Sequence, residues 1–219
     1  MALSPPADVL NHTPIYRMVH TDCLDTLLCR EALHAPNHAP DDGLPYTGIH
    51  AVQTQLDRGN LPVPCGPGGV ILDYVGFYFG PRSPMLYRLH TGYNVARVDQ
   101  SQIIYLVSTA QAVADAGLGF VFTDRHSLAA VAAFRDNLGD LAIVDFPIAY
   151  ATQWNTTPQH LDRQEKKQAE FLVYRSVPWQ LIDKIGVRSD AARERVTQIL
   201  EGRPAVRHPP IIVERSWYY

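Results

Sequence analysis

Residues 72–87 read LDYVGFYFGPRSPMLY, a stretch that places five aromatic side chains and two prolines in sixteen residues. Apolar side chains fall on both sides of the alternation from Tyr74 to Phe79, which predicts a strand with two apolar faces. Such a strand is typical of a core, and it also suits a stacking platform for a flat ring such as nicotinamide or a nucleic-acid base. A core strand alone does not require the PRSP turn at residues 81–84, so we expect both roles.

Further strands and helices are predicted on either side of this stretch. The predicted strands are Ile15–His20, Leu72–Phe79, Met85–Leu89, Gln102–Val107, Gly119–Thr123, Leu141–Val144, Glu170–Val173 and Ile211–Val213. The helical patterns are Leu24–Ala32, Ile49–Leu56, Ser127–Leu138, Trp179–Ile185 and Ser189–Leu200. Several strands follow one another without a helix of crossover length, which disfavours a doubly wound parallel sheet. The expected fold class is therefore α+β, with helices packed on mainly antiparallel sheets.

The composition is that of an ordinary globular protein. The chain has 219 residues, of which 46% are hydrophobic and 19% charged, and this balance argues against disorder. One domain is the default at this length. Three cysteines are too few for a disulfide framework. We see no secretory signal and no apolar run of membrane-spanning length, so we expect a cytoplasmic protein without a membrane anchor.

The charge distribution is uneven along the chain. The formal net charge is only −3, and by itself it steers away from nucleic-acid binding. However, residues 1–57 hold seven acids and two bases, whereas residues 184–219 hold seven bases and four acids. The small total thus hides a polarity, for which a solvated C-terminal surface is the simplest interpretation.

Two short motifs are weak indications of function. The glycine group at residues 66–69 lacks a following Lys-Ser/Thr pair and contains a proline, so it predicts a turn rather than a phosphate loop. His34 and His38 have the spacing of two metal ligands, and Cys23 and Cys29 are near in sequence. Pro36 interrupts that spacing, so solvated loop histidines are favoured over a zinc site.

Three polar residues have ordinary interpretations when each is taken alone. Glu170 enters an apolar strand, where a carboxylate is costly unless it is exposed at the strand end or paired. Arg58 follows a helical segment and suits an exposed surface. His126 lies between a predicted strand and a predicted helix, where capping is the default role and ligand contact the alternative.

Together, these pieces resemble the DarT family, the DNA ADP-ribosyltransferase toxins of bacterial toxin–antitoxin systems, over nearly the whole chain. The motifs that carry the resemblance are Tyr16-x3-His20 with Asp22-x-Leu24, Ile49-x8-Arg58, Asp73–Val75, Phe77–Tyr87, Phe122–His126, Lys167–Val173 and Trp217–Tyr219. The most specific are the aromatic run that ends in Ser-Pro-Met-Leu-Tyr and the Lys-Gln-Ala-Glu-Phe block. The sequence is most similar to the thymidine-modifying branch.

The resemblance implies an ADP-ribosyltransferase fold in one domain over residues 1–219. That fold has two packed, mainly antiparallel sheets with peripheral helices, and it binds NAD in the cleft between the sheets. The implied reaction transfers ADP-ribose from NAD, which is a substrate, to a thymine ring nitrogen of single-stranded DNA in a short sequence context. The implied partner is a macrodomain antitoxin. We expect a monomer that needs no metal.

The resemblance also implies roles for individual residues. Glu170 would stabilise positive charge on the ribose, and Arg58 would stabilise the anionic thymine. The residues expected to contact NAD are His20, Thr21, Tyr78, Met85 and His126. The residues expected to contact DNA are Trp154, which would stack on a base, and Arg163, Lys166 and Lys167, which would contact phosphates.

The sequence leaves two alternatives open. One is an ADP-ribosyltransferase that acts on protein, RNA or another base, or that hydrolyses NAD. The other is a non-catalytic nucleic-acid-binding module. The chain also departs from the family at Gly76, where proline is common, and at Arg125, where a smaller residue is frequent. Neither position is expected to touch the chemistry, although Gly76 loosens the strand next to the expected nicotinamide wall.

Overall fold

The computed structural model describes residues 3–219 and contains ten strands and seven α-helices in that range. The strands are β1 Pro14–His20, β2 Ala32–His34, β3 Tyr74–Tyr78, β4 Ile103–Thr109, β5 Phe120–Thr123, β6 Phe134–Arg135, β7 Glu170–Tyr174, β8 Ser176–Pro178, β9 Lys184–Val187 and β10 Ile211–Val213. The helices are α1 Leu24–Arg30, α2 Val52–Asn60, α3 Pro84–Thr91, α4 Ala110–Asp115, α5 Phe146–Tyr150, α6 Arg163–Lys166 and α7 Asp190–Glu201. Short 3-10 turns connect many of them. The α+β class predicted from the sequence is confirmed.

Eight strands form one sheet that is almost divided in the middle. The strand order is β10-β9-β4-β1-β3-β7-β5-β6, and every neighbouring pair is antiparallel except β9 and β10. β1 pairs with β4 over seven residues and β3 pairs with β7 over five, but β1 and β3 share only the pair Tyr16 and Tyr78. The two halves therefore separate beyond this pair and leave a cleft. β2 and β8 form a second, two-stranded sheet.

The core next to β1 and β4 is built from aromatic rings in edge-to-face contact. The ring of Tyr16 lies 6.3 Å from that of Tyr105, 6.2 Å from Tyr150 and 5.2 Å from Trp217. All four side chains are buried. The hydroxyl groups of Tyr16 and Tyr150 are 3.0 Å apart and satisfy each other. This packing holds β1 firmly on one side of the split.

One predicted strand at the cleft is a helix instead. Residues Met85–Leu89 lie within α3, because Ser83 caps its first turn and Pro84 occupies its first position. The Ser83 hydroxyl accepts a hydrogen bond from the Leu86 amide at 3.3 Å. A cap followed by proline is a strong helix start, and it outweighs the apolar run of the following residues. The strand prediction for this segment was wrong.

Three further predictions of secondary structure were also wrong. Leu141–Val144, predicted as a strand, falls mainly in a 3-10 turn that spans Leu138–Ile143. Ser127–Leu138, predicted as a helix, is largely irregular and contributes only β6. Trp179–Ile185, predicted as a helix, divides into a 3-10 turn and the start of β9, which pairs with β4. In each case sheet pairing or turn geometry outweighed a short apolar periodicity.

Candidate active site

The cleft lies where β1 and β3 diverge, and its empty space, including the open mouth, is about 940 Å³. Its walls come from β1, α2, β3, α3, the residues after β5, and the start of β7. The lining includes five residues predicted for the site, Arg58, Tyr78, Met85, His126 and Glu170. A concave site in which charged and aromatic side chains from separate elements converge suits a small-molecule substrate.

Glu170 and Arg58 form an ion pair at the base of the cleft. Glu170 is the first residue of β7 and is only 4% exposed. Arg58 Nη1, from α2, donates to Glu170 Oε1 at 2.7 Å. The carboxylate expected to be exposed or paired is thus paired, and the arginine that looked like a surface residue is its partner. Breaking such a pair would leave one buried charge without compensation.

Other groups orient the Glu170 side chain and hold it ionised. The Ser127 amide donates to Glu170 Oε2 at 3.3 Å, and the Glu170 amide donates to the Thr123 hydroxyl at 3.1 Å. Burial by itself would raise the pKa of Glu170, but the positive charge of Arg58 and the hydrogen bonds from Ser127 and Arg58 outweigh it. The pKa is therefore held below its ordinary value. A carboxylate is available at neutral pH.

His126 and Tyr78 border this carboxylate as uncharged groups. His126 Nδ1 accepts a hydrogen bond from the Leu128 amide at 3.2 Å, and the His126 amide donates to the Glu165 carbonyl at 2.9 Å. Burial lowers the pKa of His126, so the ring is neutral at pH 7. Burial and the nearby Glu170 raise the pKa of Tyr78, which keeps its hydroxyl protonated. Both rings thus offer contacts without adding charge.

Sequence reasoning missed two arginines of the cleft. Arg17 from β1 and Arg88 from α3 both line it. Arg17 Nη1 donates to the Gly76 carbonyl at 2.8 Å, whereas its Nε is buried without a hydrogen-bond partner among the described residues. With Arg58, three cations face one carboxylate. The three arginines come from three separate elements, so no local sequence pattern predicts that they meet in one cleft.

His20 and Thr21 lie at the end of β1, and neither is among the residues that line the cleft. His20 Nδ1 accepts from the Asp22 amide at 3.2 Å and so caps the 3-10 turn that follows. The Thr21 hydroxyl donates to the Gln102 carbonyl at 2.8 Å. Both side chains are buried and already hold neighbouring backbone. Their predicted contact with NAD remains a prediction.

The four residues predicted to contact DNA lie outside the lining of the cleft. Trp154 lies half-buried in the irregular segment between α5 and α6, and its Nε1 donates to the Tyr219 hydroxyl at 2.6 Å. Arg163 and Lys166 lie on α6, and the Lys166 ammonium is 3.0 Å from Asp162 Oδ2. None of these three lines the cleft.

The structure contradicts the predicted contact of Lys167 with DNA. The residue is 1% exposed, and its Nζ donates to the Pro81 carbonyl at 2.9 Å and to the Ala149 carbonyl at 2.6 Å. An ammonium group enclosed in this way is not accessible to a phosphate in solvent. Lys167 instead joins the turn after β3 to the end of α5.

The residues considered for a zinc site do not converge. The Cys23 thiol donates to the Thr47 carbonyl at 3.3 Å, and His38 Nε2 lies 3.2 Å from Asp73 Oδ1. Cys29 is exposed on the surface of α1. Across residues 3–219, no three His, Cys, Asp or Glu side chains are grouped as a metal would need. In the same part of the chain, no helix is both long and apolar enough to span a bilayer.

Comparison with known proteins agrees with this geometry. A family model described as ssDNA thymidine ADP-ribosyltransferase, DarT, matches residues 16–219. A DNA ADP-ribosyl transferase of Thermus sp. (strain 2.9) is 44% identical over 207 residues, which cover 94% of this chain and 96% of the relative. The structure of Thermus sp. 2.9 DarT in complex with ADP-ribosylated ssDNA superposes with a TM-score of 0.89 at 42% identity, with both chains covered fully.

A second solved structure, Thermus sp. 2.9 DarT in complex with NAD+, superposes with a TM-score of 0.85 at 41% identity and covers 99% of this chain and all of the other. The resemblance inferred from the motifs and the expected ADP-ribosyltransferase fold are thus confirmed. These two structures match the chain over 100% and 99% of its length. The matched part therefore includes the cleft and its buried Glu170–Arg58 pair. The chain belongs to the DarT family of single-stranded-DNA thymidine ADP-ribosyltransferases.

Proposed function

We propose that the protein is an enzyme that transfers ADP-ribose from NAD to a thymine base of single-stranded DNA. The observation that carries the proposal is the buried ion pair of Glu170 and Arg58 in the cleft at the sheet split. Family membership and the similarity to the structures of a DarT in complex with ADP-ribosylated ssDNA and with NAD+ support both substrates. The proposed role is that of the toxin in a toxin–antitoxin pair.

The residues of the cleft fit NAD as the donor substrate. NAD combines a flat nicotinamide ring with an anionic pyrophosphate, and it supplies the ADP-ribosyl group for transfer. Tyr78 and Met85 offer an aromatic and an apolar surface for the ring, and His126 offers a neutral contact beside them. Arg17 and Arg88 suit the pyrophosphate, and the buried Arg17 Nε has no hydrogen-bond partner among the described residues. His20 and Thr21, at the end of β1, are proposed as further NAD contacts.

Glu170 stabilises the positive charge that develops on the ribose during transfer. The bond from ribose C1′ to the nicotinamide nitrogen breaks, and nicotinamide leaves with the bonding electron pair. A bond from C1′ to the thymine ring nitrogen forms, and the proton of that nitrogen passes to water. The carboxylate is already ionised and held by hydrogen bonds, so it need not reorganise as charge develops.

Arg58 stabilises the negative charge that thymine gains as its ring proton leaves. A guanidinium group remains protonated in proteins, so electrostatic stabilisation is favoured over a role as general base. The 2.7 Å contact with Glu170 holds Arg58 next to the carboxylate that stabilises the ribose charge. The same pair can therefore lower the barrier on both sides of the bond that forms.

The remaining parts of the proposal concern DNA and partners. Trp154, Arg163 and Lys166 lie on or before α6 and would contact a base or phosphates outside the cleft. A macrodomain antitoxin as partner, a monomeric state and a cytoplasmic location are part of the same proposal. Residues 1–219 are proposed to form one ADP-ribosyltransferase domain, which is supported by the family match over residues 16–219.

The test incubates the full chain with NAD and two single-stranded oligonucleotides that differ only in the presence of thymine. We expect a mass gain of one ADP-ribose on the thymine-containing strand alone. Glu170→Gln is expected to lower this labelling about 100-fold or more, as for other groups that stabilise transition-state charge. The control variant Glu194→Gln, on the exposed face of α7, is expected to label at the wild-type rate.

Three outcomes would contradict the proposal in different ways. Equal labelling of the thymine-free strand would favour another base as acceptor. NAD consumption without any labelled strand would favour a hydrolase or a different acceptor class. Undiminished labelling by Glu170→Gln would show that the ion pair does not carry the chemistry.

A further inference from the structure

The segment between α5 and α6 is held by a hydrogen bond that lies outside the cleft. This segment, residues 151–162, has no helix or strand and contains one isolated bridge, between Thr157 and His160. It leads through α6 to Glu170. Its position relative to the cleft is therefore not set by regular secondary structure.

Tyr219 connects this segment to the corner that supports α3. Trp154 Nε1 donates to the Tyr219 hydroxyl at 2.6 Å, and the Tyr219 hydroxyl donates to the Arg82 carbonyl at 3.0 Å. An indole N–H can only donate and a carbonyl can only accept. The group between them must do both, so a hydroxyl at this position satisfies both and a phenyl ring neither.

Tyr219 is also held by contacts that do not involve its hydroxyl group. Its amide donates to Gln100 Oε1 at 2.7 Å, and Gln100 Nε2 donates to its carbonyl at 2.8 Å. The Arg82 guanidinium lies 4.4 Å from the ring centroid, and the Tyr87 ring is 5.2 Å away. Replacing tyrosine by phenylalanine therefore removes the bridging hydroxyl and leaves these contacts in place.

The corner that Tyr219 holds is next to the substrate wall. Arg82 has a φ of 57°, a conformation that non-glycine residues adopt only when surrounding contacts impose it. Ser83 follows it and caps α3, which carries Met85 and Arg88 into the cleft. The same tyrosine thus joins the segment that contains Trp154 to the corner that precedes α3.

We propose that Tyr219 is a positioning residue for the DNA acceptor, which holds the 151–162 segment against the α3 corner through Trp154. The inference rests on the proposed function. Tyr219 does not line the cleft, so it acts through Trp154 and not on the reacting atoms. Its loss should therefore weaken use of the oligonucleotide far more than use of NAD.

The test compares Tyr219→Phe with wild type in the full chain. We expect the KM for a thymine-containing oligonucleotide to rise about five-fold, the size of effect that follows from one lost hydrogen bond. The KM for NAD is expected to change less than about two-fold, since the ring and the α3 cap remain. The matched control is Tyr93→Phe, at an exposed tyrosine, which is expected to leave both constants unchanged.

Trp154→Phe gives a second, independent variant, because it removes the donor of the same hydrogen bond. It should raise the oligonucleotide KM, and the double variant should have no larger effect than the greater of the two single ones. Multiplying effects, an unchanged oligonucleotide KM, or equal increases in both KM values for Tyr219→Phe would overturn the inference.

Oligonucleotide binding measured by fluorescence anisotropy separates this inference from the proposed function. If the wild-type chain labels no thymine, the proposed function fails. The inference is then judged by whether Tyr219→Phe weakens oligonucleotide binding, which is the expected result. Unchanged binding in that assay would overturn it.

Discussion

Lys167 shows how a single buried ionisable side chain makes stability depend on pH. Its ammonium group is enclosed and bonded to the carbonyls of Pro81 and Ala149. Burial and the nearby Arg82 lower its pKa to about 7. The folded protein therefore binds this proton less tightly than the unfolded chain, in which a lysine keeps its ordinary pKa. The free energy of unfolding gains a contribution from Lys167 as pH rises above about 7.

Lys167→Met is expected to remove this pH dependence. Between pH 7 and pH 9, the wild-type chain should gain up to about 1.4 kcal/mol of stability per pH unit from this residue, relative to the variant. At pH 7 the variant should also be about 2 kcal/mol less stable, because two buried carbonyls lose their donor. Urea unfolding at pH 7, 8 and 9 measures both effects. A wild-type minus variant difference that stays constant over this range would contradict the prediction.

Glu170 and Arg58 show how much of the site can be predicted from a sequence pattern. Glu170 stands out in the sequence because a carboxylate opens an apolar strand, where it is costly unless it is exposed at the strand end or paired. Its partner Arg58 could not be identified by such reasoning, because 112 positions separate the two in the chain. The family resemblance supplied both residues, and the structure placed them 2.7 Å apart.

At the scale of elements, the close approach of β3 to α5 depends on a glycine. A Cβ added to Gly80, just after β3, would overlap the backbone carbonyl of Ala149, at the end of α5. The backbone of α5 cannot yield as a flexible side chain would. This approach brings Ala149 within reach of Lys167, so one contact fixes the turn that leads into α3.

Gly80→Ala is expected to destabilise the protein by about 2 kcal/mol, since overpacking against backbone forces the two elements apart. Gly48→Ala is the matched control, because its added Cβ would meet only the His50 ring, at 3.8 Å. We expect the control to change stability by less than about 0.5 kcal/mol. Thermal and urea unfolding of the two variants measure the difference, and a Gly80→Ala variant as stable as Gly48→Ala would exclude this contact as a constraint.

The elements that the sequence predicted correctly share a physical feature. β1, β3, β4, β5, β7 and β10 lie within or overlap predicted strands. Most are rich in β-branched and aromatic residues, whose preference is local. The segments that were predicted wrongly depend on features that the spacing of apolar residues does not show. These were the Ser83-Pro84 cap of α3 and the pairing of β9 with distant β4.

At the scale of the whole molecule, an acidic chain presents a basic cleft. The net charge is −3, yet Arg17, Arg58 and Arg88 face a single carboxylate in the cleft. Outside it, Arg163 and Lys166 are the two predicted phosphate contacts that remain, because Lys167 is enclosed. Binding to single-stranded DNA should therefore involve few phosphates and be weak and transient.

This expectation gives a measurable salt dependence. With two or three phosphate contacts, the logarithm of the oligonucleotide affinity should fall with the logarithm of salt concentration at a slope of about −1.4 to −2.1. Anisotropy titrations of a labelled thymine-containing oligonucleotide between about 50 and 200 mM KCl measure the slope. A slope steeper than about −5 would show an extended basic surface that the cleft and α6 do not explain.

The sequence by itself determined the α+β class, the apolar strands, the family and the identity of the central carboxylate. Each of these depends on residue types within one short segment, or on motifs that recur as segments. Only the tertiary structure decided which distant side chains meet. It paired Glu170 with Arg58, enclosed Lys167, joined Trp154 to Tyr219, and limited β1 and β3 to one residue pair so that a cleft opens. These contacts arise from the packing of elements far apart in the chain, on which local preferences place no constraint.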